Sequence, residues 1–203
     1  AYASCRDAST KAMLKARLDY MVEMVDSCQS KFDTNTAGLY GYVGGLPDNT
    51  VWTKMYGGDI SGYNSNRGNV PFYVMHKIIA GLRDAYIYSG NTTAKKCFIK
   101  ICDWSVNLIS KLPEATMQSV LDTEHGGMNE VILDAYQLTG DTKYLTAAKK
   151  YSHKTMITGF QTYSTTFLDN RHANTLVPKY IGFERIAQED GVTADKSVMA
   201  QYR

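Results

Sequence analysis

Asp84-Ala85-Tyr86-Ile87-Tyr88-Ser89-Gly90-Asn91 returns as Asp134-Ala135-Tyr136-Gln137-Leu138-Thr139-Gly140-Asp141, 50 residues further on. A weaker trace follows at Glu189-Asp190-Gly191, and Arg6-Asp7 reads as the degenerate end of an earlier copy. Self-similarity at this period marks stacked supersecondary units. Each copy reads as a helix, a glycine turn and a second helix. Glycine accepts the left-handed conformation that closes a helix, and Asn91 or Asp141 offers a side-chain oxygen to cap the next one.

The two helices of each copy differ in surface character. Residues 71–89 and 127–139 are apolar nearly all round, with Ile78, Ile79, Leu82, Val131, Ile132 and Leu133, and predict buried inner helices. Residues 92–111 and 142–157 set Lys95, Lys96, Lys100, Lys149, Lys150 and Lys154 against Phe98, Ile101, Trp104, Tyr144, Leu145 and Ala148. They predict an amphipathic outer layer. The expected fold is therefore all-α, an α/α barrel of helical hairpins, with an open α-solenoid as the alternative. Six hairpins of this size need roughly 300 residues, so residues 1–203 are expected to supply part of a single barrel domain.

Inner-to-outer turns are short, whereas the segments 33–70, 112–126 and 158–173 are long and must gather at one end. Binding groups commonly sit on long loops held by rigid elements, which makes that end the expected working face. The 33–70 segment carries many glycines among Tyr40, Tyr42, Trp52, Tyr56 and Tyr63. These aromatics either stack on sugar faces or simply pack a long loop.

A formal net charge of +2, with lysines spread over several segments, gives no electrostatic footprint for nucleic acid. No apolar run is long enough to span a membrane, and residues 1–20 lack the order of a signal peptide. Cys5, Cys28, Cys97 and Cys102 form no CxxC pair, and Cys97 and Cys102 diverge around one helix, so buried small hydrophobes are the favoured reading and no metal is assigned to them.

His76, His125 and His172 precede their turn glycines by 14, 15 and 19 residues, which places each near the start of an inner helix. One histidine on an apolar helix is commonly a satisfied core residue, but three at one rim are harder to dismiss. The densest polar stretch is Glu124-His125-Gly126-Gly127-Met128-Asn129-Glu130. Glu124 and Glu130 suit paired-carboxylate glycoside chemistry, or else Glu130 complements a helix dipole and Glu124 is loop surface. Arg171-His172-Ala173-Asn174-Thr175 precedes Pro178 and also reads as a cap, by Asn174 or Thr175, with proline in the first turn. His153, on the amphipathic helix, reads as structural.

Four runs occur together in order: Gly41 to Pro47; Val70-Pro71-Phe72-Tyr73-Val74-Met75-His76 on to Leu82; Glu124 to Glu130 with the Thr139-Gly140-Asp141 turn; and His172 to Lys179. With them the chain resembles glycoside hydrolase families 127 and 146, typified by β-L-arabinofuranosidases. The resemblance implies an (α/α)6-barrel catalytic domain, retaining hydrolysis of L-arabinofuranosides in plant glycans, and a secreted or periplasmic protein. It also implies a cysteine thiolate nucleophile beside zinc, with the nucleophile, zinc ligands and acid/base beyond Arg203. What carries over to this chain is a set of sugar-binding positions: His76, His125, Asn129, Glu130, His172 and Asn174, with Trp52 and Tyr73 as aromatic lining. The partners expected are a carbohydrate and the rest of the parent polypeptide. A non-catalytic helical-repeat module binding glycan or protein is the alternative. Another α/α-barrel chemistry, such as that of an epimerase or uronyl hydrolase, lacks the ordered motifs.

Overall fold

A computed structural model describes residues 1–32, 36–46, 48–65, 69–162, 164 and 166–190. Ten α-helices follow one another among them: α1 Ala8–Lys31, α2 Thr50–Tyr56, α3 Ser61–Ser65, α4 Pro71–Ser89, α5 Thr92–Ser110, α6 Glu114–Leu121, α7 Met128–Thr139, α8 Thr142–Lys150, α9 Lys154–Gln161 and α10 Ala173–Asp190. No strand occurs among the described residues.

The repeated turns form as their residues dictate. Gly90 and Gly140 close α4 and α7 in the left-handed region, with φ of 70° and 74°, and donate their N–H groups to Tyr86 O and Tyr136 O. Asn91 then accepts from the Ala94 N–H at 2.8 Å, and Asp141 accepts from the Lys143 N–H at 3.0 Å. Gly191, the expected third turn, lies outside the described residues.

α4, α7 and α10 pack side by side as inner helices, with α5 and α8 laid against them from outside and α1 against α5 and α4. Partner residues keep nearly constant spacing: Gly127 meets His76, Asp134 meets Arg83, Asn129 meets Lys179 and Arg185 meets Asp134. A constant offset between helices means that they run parallel. The inner helices therefore begin at one end, and Gly90 and Gly140 lie at the other.

Two expectations need correction. The outer helix expected over 142–157 is two helices, because Tyr151, Ser152 and His153 turn inward and are all buried. The fully enclosed Tyr151 hydroxyl pairs with Ser105 Oγ at 2.7 Å, an inward anchor that a straight surface helix could not reach. Pro178 does not sit in the first turn of α10, since that helix begins earlier, at Ala173, and carries the proline in its interior.

The described part of the 33–70 segment sends several large apolar side chains into the core, while Tyr40 stays exposed. Tyr42, Trp52, Met55 and Tyr63 are buried, and Trp52 packs between Phe72, Tyr42 and Trp104 with ring centroids 5.1–5.9 Å apart. Such an aromatic cluster supplies both buried area and favourable tilted or edge-on geometry. α7 is buried nearly all round, but α4 is not: Val74, Ile87 and Tyr88 are exposed. Ile78 and Leu82 of α4 line an apolar groove of about 610 Å³ with Leu14, Leu18, Met21 and Val25 of α1.

Candidate functional site

The common starting end of α4, α7 and α10 brings together residues from three helices and two loops. Its hinge is Gly126-Gly127, where the chain enters α7. The Gly127 N–H donates to His76 Nδ1 at 3.1 Å, so that nitrogen carries the lone pair and Nε2 carries the proton. A Cβ on Gly127 would stand 3.0 Å from His76 Nε2 and 3.2 Å from Glu130 Oε2. Both polar atoms thus close on Gly127 as a cradle that only a residue without a side chain fits. Tyr73, half-buried, meets the His76 ring edge-on at 6.1 Å. Burial, together with the charges of Lys77 and Arg83, pushes His76 down to about 4 and keeps it neutral near pH 7.

Beneath this cradle lies a second, closed polar cluster. Asn129 is fully buried; it donates from Nδ2 to Lys179 O at 3.0 Å and accepts the Glu130 N–H on Oδ1 at 3.0 Å. Gly182 makes room for it, since a Cβ there would fall 2.1 Å from Asn129 Cγ. His125 is also fully buried, faces the carbonyls of Leu121 and Thr123 without a well-formed hydrogen bond, and meets the His153 ring at 6.5 Å. Burial and the nearby Lys179 hold it well below the usual histidine range.

Lys179 is the centre of this cluster. It is fully buried, and Nζ donates to Leu121 O at 2.9 Å and to His153 Nδ1 at 3.0 Å. Burial and the charge of Arg171 lower it to about 7, while burial and Lys179 lower His153 to about 4. His153, read from the sequence as structural, is thus the lysine's acceptor.

His172 and Asn174 stand exposed at the start of α10, where His172 Nδ1 accepts the Asn174 N–H at 3.3 Å. His172 therefore caps the helix in the place expected of Asn174 or Thr175. Next to it, Arg171 bonds Asp122 at 3.2 Å, and Asp122 lies 4.0 Å from His153 Nε2. The three expected histidines lie near the common start of the inner helices but differ in access: His76 borders the cradle, His125 is fully buried and His172 is open to solvent. Trp52 is a core residue whose ring faces are covered by other aromatics, so it offers no platform to a sugar.

Lys179 and Arg185 are absent from the expected set, although both left a trace. Leu176, Lys179, Phe183 and Ile186 share the buried stripe of α10, so a lysine at that register signals a buried charge. Arg185 follows Asp134 by 51 residues, as Asp134 follows Arg83.

The resemblance also implies zinc held by thiolates; of this chain's cysteines, Cys28 is exposed, Cys5 is partly so, and Cys97 and Cys102 are buried. Burial and Asp26 push Cys97 up to about 12; burial, Asp103 and Asp134 push Cys102 well up. Both stay protonated thiols near neutral pH. Among the described residues, no three His, Cys, Asp or Glu side chains gather as a metal would require.

Parallel inner helices that open on a polar rim, backed by outer helices, make this a domain of the α/α-barrel type. The family model for β-L-arabinofuranosidase, GH127 catalytic domain, matches residues 1–201, and the chain belongs to that family of glycoside hydrolases. No curated protein matches it.

Proposed function

We propose that the chain supplies part of the sugar pocket of a retaining glycoside hydrolase acting on L-arabinofuranosides of plant glycans. The observation that supports this is the cradle at Gly127, where a fixed N–H donor and a carboxylate acceptor both approach a residue that has no side chain. A sugar hydroxyl both accepts and donates. His76 Nε2–H would donate to its oxygen, and Glu130 Oε2 would accept its hydrogen, with Tyr73 at the edge. His125 and Asn129 hold the loop and helix start in place from below, and His172 and Asn174 extend the rim. On this reading the nucleophile, acid/base and metal ligands come from outside residues 1–203, as the family resemblance implies.

The test is calorimetric binding of methyl β-L-arabinofuranoside to the chain, alongside turnover of an aryl β-L-arabinofuranoside by an enzyme containing it. His76→Ala and Glu130→Gln should each weaken binding about 10-fold or more, the loss expected for one hydrogen bond to a charged or buried partner. Unchanged binding in both variants would remove the pocket from this cradle. Sugar binding without turnover in the complete polypeptide would turn the reading to a helical binding module.

A further inference from the structure

Further along the inner helices, Arg83 of α4, Asp134 of α7 and Arg185 of α10 follow one another at intervals of 51 residues. The nearly buried Asp134 gives one oxygen to each arginine: Oδ2 to Arg83 Nη1 at 2.7 Å and Oδ1 to Arg185 Nη2 at 2.5 Å. Arg185 also donates to Gln137 Oε1 at 2.6 Å and from Nη1 to Glu130 Oε1 at 3.2 Å. A planar guanidinium with acceptors on three successive turns of α7 is left with one orientation.

Glu130 is consequently divided between two neighbours. Oε1 is committed to Arg185, while Oε2 lies 3.2 Å from where a Cβ on Gly127 would stand, a point 3.0 Å from His76 Nε2. The fork is not needed merely to join α7 to α10. Phe183, Ile186 and Ala187 bury that side of α10, and Asn129 already bonds the Lys179 carbonyl.

We propose that Arg185 is a positioning residue: it draws the Glu130 carboxylate away from His76 and so keeps the space over Gly127 open for a substrate hydroxyl, with Asp134 and Arg83 fixing the arginine in turn. Without the guanidinium, the freed carboxylate swings onto the Nε2–H of His76 and closes the cradle as an ion pair. The hydroxyl part of this inference rests on the pocket reading above; the positioning part does not.

Histidine side-chain NMR on the 203-residue chain reads the two parts separately. Besides Glu130, the charged groups bearing on His76 are Lys77 and Arg83, neither of which the variants alter. His76 should titrate near 4 in the parent chain. In Arg185→Met its midpoint should rise by about 1 unit or more, the effect of an opposite charge arriving within contact distance. Arg185→Lys, which retains the charge but loses the fork, should give a smaller rise, and it carries the test if the methionine variant does not fold. The rise should vanish in Glu130→Gln/Arg185→Met. An unchanged midpoint in folded Arg185→Met, or in Arg185→Lys where the former fails, overturns the proposal. A rise accompanied by weaker arabinofuranoside binding supports both parts. A rise with sugar binding unchanged upholds the positioning role and refutes the pocket.

Discussion

The ammonium group of Lys179 lies 3.0 Å from Nδ1 of His153, and both side chains are sealed from solvent. Arg171 adds a further cost to the lysine's charge, while Asp122 and Glu124 offset it only in part. The unfolded chain therefore holds this proton up to about pH 10.4, the ordinary lysine value, whereas the folded chain releases it near 7. Between those values the unfolded state binds more protons, so stability rises with pH. Urea titrations at pH 7, 8 and 9 should show a rise contributed by Lys179 of up to about 1.4 kcal/mol per unit. The rise should flatten in Lys179→Met; an identical slope in the two proteins would show that the amine is not the source.

On the acid side, His76 and His153 are both held neutral down to about 4. The unfolded chain protonates them near 6.5. Stability should thus be fully present above about pH 6.5 and be lost as pH falls toward 4, by up to about 1.4 kcal/mol per unit for each residue. Thermal melts at pH 7 and 5 should differ less for His153→Gln than for the parent chain. Equal differences would mean that His153 already carries a proton in the folded state.

Two glycines within helices, Gly182 buried and Gly81 exposed, should respond oppositely to alanine. In Gly182→Ala the new methyl would sit 2.1 Å from Asn129 Cγ, which should cost about 1–3 kcal/mol by overpacking. Gly81 has nothing within 4 Å of such a methyl and lies in the middle of α4, so Gly81→Ala should gain about 0.5–1 kcal/mol from helix propensity. Chemical denaturation of both variants checks the pair; equal losses would contradict the close approach of α7 and α10 at Asn129.

Thiol reactivity should divide the cysteines by location. Cys28 is exposed, whereas Cys97 and Cys102 are buried and held protonated. Native protein mixed with an aromatic disulfide reagent at pH 8 should label Cys28 first. Cys97 and Cys102 should follow only at the rate of unfolding. Rapid native labelling of either would place a reactive thiolate inside this chain after all.

The hairpins were legible because each depends on local chemistry: Gly90 with Asn91, and Gly140 with Asp141, specify a helix end and a helix start within two residues. Helical amphipathicity could not disclose the break at Tyr151–His153, since the pattern continues across it and the cause is the distant Ser105 and Lys179. The candidate site was legible only as polar groups, those of His76 and Glu130, near the starts of two inner helices. Trp52 misled because an aromatic between glycines looks the same whether it faces solvent or the core. Lys179 entered only as the end of the run from His172, because a lysine is ordinarily assigned to the surface; its register among Leu176, Phe183 and Ile186 says otherwise.

Seven residues separate His76 from Arg83, and seven separate Gly127 from Asp134. That interval is about two helical turns, so cradle and ionic belt share one helix face about 10 Å apart. One residue added between them would rotate everything beyond it by about 100° and unmake the Arg83–Asp134 bond or the Gly127–His76 bond. Natural length variation in homologous chains should therefore be confined to the segments before α4, between α5 and α7 and before α10, leaving these two intervals free of insertions and deletions.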